Sequence, residues 1–225
     1  MNCLSSIEVE SGWEAQLDLR FARKLDPVRA RTIMQRSYHR GPMRVQRPFY
    51  PEDELAHVYM LQPPGGVVGG DRLAIQLELL SGAQVLATTP GSGKFYLSGG
   101  RWARIEQKLR IHAGASLEWL PQENILFAGA RVQASVTIEV EDDGRFIGWD
   151  VTCLGRVSRR ERFDHGAFFS RLAFYHNGQP LLFENQRVFD EQSLDAAAGL
   201  RSQPMQATLL AFPCRNEMLE PVQAQ

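Results

Sequence analysis

From Trp13 to Phe21 the chain alternates without a break: Trp13, Ala15, Leu17, Leu19 and Phe21 against Glu14, Gln16, Asp18 and Arg20. Period two is the spacing of a strand with one buried face, and it does not fit an amphipathic helix. The alternation returns at Leu73, Ile75, Leu77 and Leu79. Strand-like runs also cover His57 to Leu61, Val85 to Thr89, Ala103 to Ile111, Ala115 to Leu120, Val132 to Val140, Phe146 to Leu154, Phe168 to Phe174 and Pro180 to Val188. Turn residues separate them at Ser81-Gly82, His112-Ala113-Gly114, Asp142-Asp143-Gly144 and Asn177-Gly178,. One segment, Ser193 to Gln203, predicts a helix, with Leu194, Ala197, Ala198 and Leu200 on one side. Many short strands with one helix make a mainly β chain: a sandwich, a barrel or a solenoid. No tandem repeat of fixed period is visible, which counts against an ordinary repeat solenoid and leaves an irregular one open.

Length and charge narrow the function classes. The 225 residues suit a single β domain with a substantial core,. A formal net charge of −1 gives no global attraction to nucleic acid or anionic lipid,. The segment with Arg29, Arg31, Arg36, Arg40, Arg44 and Arg47 is basic and carries Tyr38, Phe49 and Tyr50. Such a mixture can bind single-stranded nucleic acid, but Glu52, Asp53 and Glu54 follow at once, and a solvated or protein-docking strand is the better expectation,. No apolar run is long enough to span a bilayer, and Met1 to Ser6 lacks the features of a signal peptide,. Three widely spaced cysteines, Cys3, Cys153 and Cys214, suggest neither a disulfide framework nor a zinc site,. A cytoplasmic location is expected, with neither nucleic acid nor membrane as a partner.

The most unusual stretch is Pro63-Pro64-Gly65-Gly66-Val67-Val68-Gly69-Gly70-Asp71. Glycine permits close backbone approach and positive φ, so the stretch reads as a tight loop or a backbone-lined passage that presents Asp71. It lacks the spacing and the following helix of a dinucleotide fingerprint. Gly91-Ser92-Gly93-Lys94 fails as a phosphate loop, because Thr88 and Phe95 stand where a Gly and a Ser or Thr are needed,. The five histidines, His39, His57, His112, His165 and His176, show no metal-ligand spacing, and no serine sits in a nucleophile elbow,. Residues alone give no catalytic constellation, and binding or scaffolding leads over catalysis.

Several stretches together resemble one family, the urease accessory protein UreD (also called UreH). They are Tyr38-His39-Arg40-Gly41-Pro42-Met43-Arg44-Val45-Gln46-Arg47-Pro48-Phe49-Tyr50-Pro51-Glu52, the Pro63 to Asp71 run, Thr88-Thr89-Pro90-Gly91 with Lys94-Phe95-Tyr96, Leu120-Pro121-Gln122-Glu123, and Gly148-Trp149-Asp150 with Cys153-Leu154-Gly155-Arg156. The resemblance implies a mainly β, solenoid-like (β-helical) fold spanning residues 1–225, C-terminally short for the family. It implies a non-enzyme that binds UreF, which recruits the GTPase UreG, as a hetero-oligomer (a dimer of accessory complexes) docked on the urease apoprotein. It also implies transient nickel, with no tightly bound cofactor, moving along an interior tunnel.

On that resemblance the nickel path falls to Asp71, Glu123, Asp150 and Glu184. The loop lining falls to Gly65, Gly66, Gly69, Gly70, Thr88, Thr89 and Ser92, with Lys94 and Arg156 as charge partners for the carboxylates. Carboxylates backed by carbonyls and water suit a conduit, which must admit an ion and release it. The sequence departs from the family at Gln62, where His is usual, at Ala56, where Cys is usual, and at Ser92-Gly93, where Ala-Thr or Ala-Ser is usual. Two alternatives stay open: a β-rich metal-dependent hydrolase, and a small-ligand or glycan module with Phe49, Tyr50, Phe95 and Tyr96 as its aromatic face.

Overall fold

The alternating segments become strands that wind into a solenoid of about four turns. This computed structural model describes residues 12–25, 30–189, 191–197 and 199–214. Within them, in chain order, lie β1 (Glu14–Lys24), β2 (Arg31–Arg40), β3 (Arg44–Val45), β4 (Ala56–Leu61), β5 (Arg72–Leu79), β6 (Gln84–Thr88), β7 (Gly93–Phe95) and β8 (Ala103–Ile111). There follow β9 (Ser116–Leu120), β10 (Asn124–Leu126), β11 (Arg131–Val140), β12 (Arg145–Leu154), β13 (Ala167–His176), β14 (Gln179–Val188), the helix α1 (Glu191–Asp195) and β15 (Met205–Phe212). No described helix is long and apolar enough to cross a membrane.

Two sheets enclose the core. The first runs β14-β13-β11-β8-β5-β1-β2, and the second runs β3-β4-β6-β9-β12-β10-β7 with β15 on β12. Strands β1, β5, β8, β11 and β13 pair in parallel, as do β4, β6, β9 and β12. Strands β2, β14 and β15 close the ends antiparallel. Each coil passes from the second sheet through a corner to the first, then returns by a tight turn.

The corners form a third stack. Val67 bridges Phe95, Phe95 pairs with Leu126, and Leu126 pairs with Leu154. All four are at most 2% exposed, so one apolar rib runs inside the corner of successive coils. The tight turns stack as well. The Gly82 N–H donates to the Ala113 carbonyl, the Gly114 N–H to Asp143, and the Asp142 N–H to the Asn177 side chain. The turns predicted at His112-Ala113-Gly114, Asp142-Asp143-Gly144 and Asn177-Gly178 are therefore one edge of the solenoid.

The predicted helix from Ser193 to Gln203 is corrected. The helix is α1, five residues long, and Arg201 and Ser202 beyond it take positive φ (51° and 62°). A stretch this short does not sustain a helix on propensity alone, and Gly199 interrupts it. The strand expected in the basic segment is β2, whereas the short strands β7 and β10 and the strand β15 were not expected.

Candidate functional site

The space between the sheets is not filled. A cavity of about 260 Å³ lies between their inner faces, with Gly65, Gly66 and Pro90 of the corner loops in its lining. Its apolar wall includes Leu73, Ile105, Val136 and Phe146, but its far end is polar. There β14 contributes Glu184 and Gln186, β12 contributes Asp150, and β15 contributes Gln206 and Thr208. The amides of Gln186 and Gln206 hydrogen-bond to each other across the gap between the two sheets.

Asp150 and Glu184 are close enough to repel. Burial first, and then the charge of Glu184, push the Asp150 carboxyl above the usual range. Neither carboxylate has a hydrogen-bond or ion-pair partner among the described residues. Asp150 is half-buried while Glu184 is exposed at the edge strand β14, and two unneutralised acids side by side there favour a cation or a shared proton,. Among the described residues, no three His, Cys, Asp or Glu side chains gather as a metal cluster, so this is an open two-carboxylate site.

The other expected residues divide. Gly65, Gly66, Thr89, Ser92 and Lys94 line the cavity beside Asp150 and Glu184. Asp71 does not. It is 5% exposed, and its two oxygens accept from the Trp13 N–H (2.8 Å) and the Val68 N–H (3.0 Å). That geometry makes it the cap of the glycine-rich loop. Losing it would strand two backbone donors, at about 1–3 kcal/mol each.

Gly69 and Gly70 also serve the loop. A Cβ on Gly69 would come within 2.4 Å of the Ser98 carbonyl of the next coil, and Gly70 has φ of 100°. Thr88 donates to the Leu120 carbonyl at 2.6 Å. Glu123 lies behind the wall, accepting from the Ser92 hydroxyl at 2.5 Å. Burial, then Glu123, raises the neighbouring Cys153 thiol. The structure pairs Arg156 with Glu161, beneath which lies the Phe127 ring, and not with any of the four nominated carboxylates. Lys94 has no ion pair among the described residues and stands exposed in the cavity lining.

The aromatic face imagined for a glycan does not exist as such, because Phe95 is 2% exposed in the core while Phe49 stacks on Tyr59 elsewhere. Sequence reasoning missed Gln107, Ser170, Gln186, Gln206 and Thr208 as cavity residues. The available signal was the alternation of Gln206 and Thr208 with Met205, Ala207 and Leu209, which marks a strand with a polar side.

Comparison with known proteins agrees with the fold. A family model described as the UreD urease accessory protein matches residues 14–225. The urease accessory protein UreD of Alcanivorax borkumensis is 46% identical over 209 residues, covering 93% of this chain and 71% of that protein. The same-named protein of Citrobacter koseri is 42% identical over 95% of this chain and 72% of its own length. That of Klebsiella aerogenes is 41% identical over 95% and 76%. A match over nearly the whole chain, at these identities, means that the chain belongs to the UreD urease accessory protein family.

Proposed function

We propose that this chain is a non-catalytic maturation factor for urease, acting in the cytoplasm. It bridges the urease apoprotein and the accessory proteins UreF and UreG, and nickel passes as cargo through the cavity between its sheets. The observation that carries the reading is the unpartnered pair Asp150 and Glu184 in that cavity, in a chain of this family. Ni²⁺ accepts carboxylate, amide oxygen and water. Two carboxylates among Gln186, Gln206 and Thr208 attract the ion without enclosing it, which is what passage requires. The loop Pro63 to Asp71 then acts as the wall near Gly65 and Gly66, with Asp71 holding its shape.

The test is urease activation in cells that express the urease subunits and the other accessory proteins. The double variant Asp150→Ala with Glu184→Ala should still co-purify with its partners, while urease activity and bound nickel fall by about tenfold, the scale of losing charge-assisted ion contacts. Full activation by the double variant would remove the conduit role. Unchanged urease nickel after deletion of the whole chain would remove the maturation role itself.

A further inference from the structure

The two outer faces of the solenoid differ in kind. The outer face of the first sheet is laced with charge: Arg20 pairs with Glu78, Lys108 with Glu106 and Arg110 with Glu139. The outer face of the second sheet is apolar where β12 meets β15. Ile147, Trp149 and Val151 stand opposite Ala211, Leu209 and Ala207 in register. Leu209 is 64% exposed, and Ile147 and Trp149 are also in solvent. The inner positions of the same strands are mixed: Phe146, Leu154, Leu210 and Phe212 pack in or against the core, while Asp150, Thr152, Gln206 and Thr208 are polar. These strands therefore carry apolar residues on both faces, where a strand between core and water ordinarily keeps its outer face polar. A contiguous apolar stripe on an outer face marks a protein-docking surface.

One charge lies within this field. Glu118 of β9 is half-buried and sits in register between Leu86 of β6 and Ile147 of β12. It has no ion pair or hydrogen bond among the described residues, whereas Glu78, Glu106 and Glu139 on the opposite sheet are all paired. A half-buried carboxylate between apolar columns calls for a cation from outside. Parallel sheets are ordinarily covered by helices on their faces. The described part of this chain supplies only the five-residue α1, beyond β14 at the rim of the first sheet, and a single 3-10 turn at Val157–Arg159. The stripe also borders the cavity, because the Trp149 indole donates to the Pro121 carbonyl at 2.7 Å and both residues are among the cavity lining.

We infer that the outer face of β9, β12 and β15 docks an amphipathic α-helix of a partner protein, one that carries a Lys or Arg among its apolar positions to meet Glu118. An α-helix, about 10 Å across with its side chains, covers two to three strands spaced about 4.8 Å apart. A helix seated there lies beside the cavity through which cargo would pass. The inference rests on the maturation reading only for the choice of partners to test.

A photo-crosslinking residue at position 209 is introduced into the full chain, co-expressed with the urease subunits, UreF and UreG. The expected crosslink maps to a helix of one of these proteins, with a Lys or Arg within a turn of the attachment point. A crosslink to a second copy of this chain, to a non-helical segment, or to nothing while the complex still co-purifies, overturns the inference. In parallel, Glu118→Lys should weaken capture of the crosslinked protein by about tenfold, as reversal of an interfacial charge does. Lys108→Glu on the opposite sheet should leave it unchanged, with both variants keeping the parental far-ultraviolet circular dichroism. Capture by Glu118→Lys equal to the parent overturns the inference and leaves the maturation reading standing. Docking through this face without any effect of the chain on urease nickel does the reverse.

Discussion

A single carboxyl, Asp150, shows how the interior is tuned. Burial, and after it Glu184, raise its proton affinity in the folded chain. The native state therefore holds this proton more tightly than the unfolded state. Its contribution to stability is largest at low pH and falls as pH rises from the ordinary carboxylate range through the raised folded value. Asp150→Asn cannot ionise. It should melt at a higher temperature than the parent near pH 7, and the difference should vanish as the pH approaches about 3, below the ordinary carboxylate range. A difference independent of pH would show that charge is not what Asp150 contributes. Such a site is built at the expense of stability. Asp71 is the opposite case. Sequence proximity to the glycines made it look like a site residue, but its two oxygens are spent on backbone donors.

At the scale of elements, the fit between coils sets what the loops must be. Gly69→Ala would drive a Cβ against the backbone of Ser98 and Arg101, neither of which can swing away. It should lower stability by about 1–3 kcal/mol, the cost of overpacking, read as a lower urea midpoint. Gly91→Ala, where a Cβ meets nothing within 4 Å, should stay within about 0.5 kcal/mol of the parent,. Equal midpoints for the two variants would contradict the coil-to-coil packing. The strands that sequence revealed most plainly, β1 and β5, are those with uninterrupted period-two alternation. What stayed hidden was their order in space. Side-chain hydrogen bonds between neighbouring coils join residues 28 to 35 apart, from Trp149 with Pro121 to Asp142 with Asn177, so no constant period repeats along the chain. The strand β15 escaped notice because its polar residues face inward, the reverse of the pattern that identifies a half-buried strand.

For the whole molecule, stacking makes stability a neighbour-to-neighbour property. Strands β5, β8 and β11 are paired on both sides, whereas β14 and β15 are each paired on one. Amide hydrogen exchange should accordingly be slowest in β5, β8 and β11 and fastest in β14 and β15. Protection of β15 equal to that of β8 in the isolated chain would contradict this ranking. The cavity's polar end lies between those two edge strands, so the part of the fold that carries Glu184 and Gln206 is also the part that opens most readily. Of the cavity lining, Asp150 and Glu184 were nominated through the family resemblance. The amides and hydroxyls around them were not, because Gln, Ser and Thr on a strand look alike whether they face water or a cavity.

The exposed apolar stripe on β12 and β15 also governs supply. An exposed apolar edge strand is a template for self-association, and a chain made in excess of its partner presents one on every copy. With the stripe covered by a partner helix as inferred above, the yield of dispersed protein should follow the supply of that partner rather than that of this chain. Synthesis of the two in fixed proportion becomes a requirement of the surface chemistry itself.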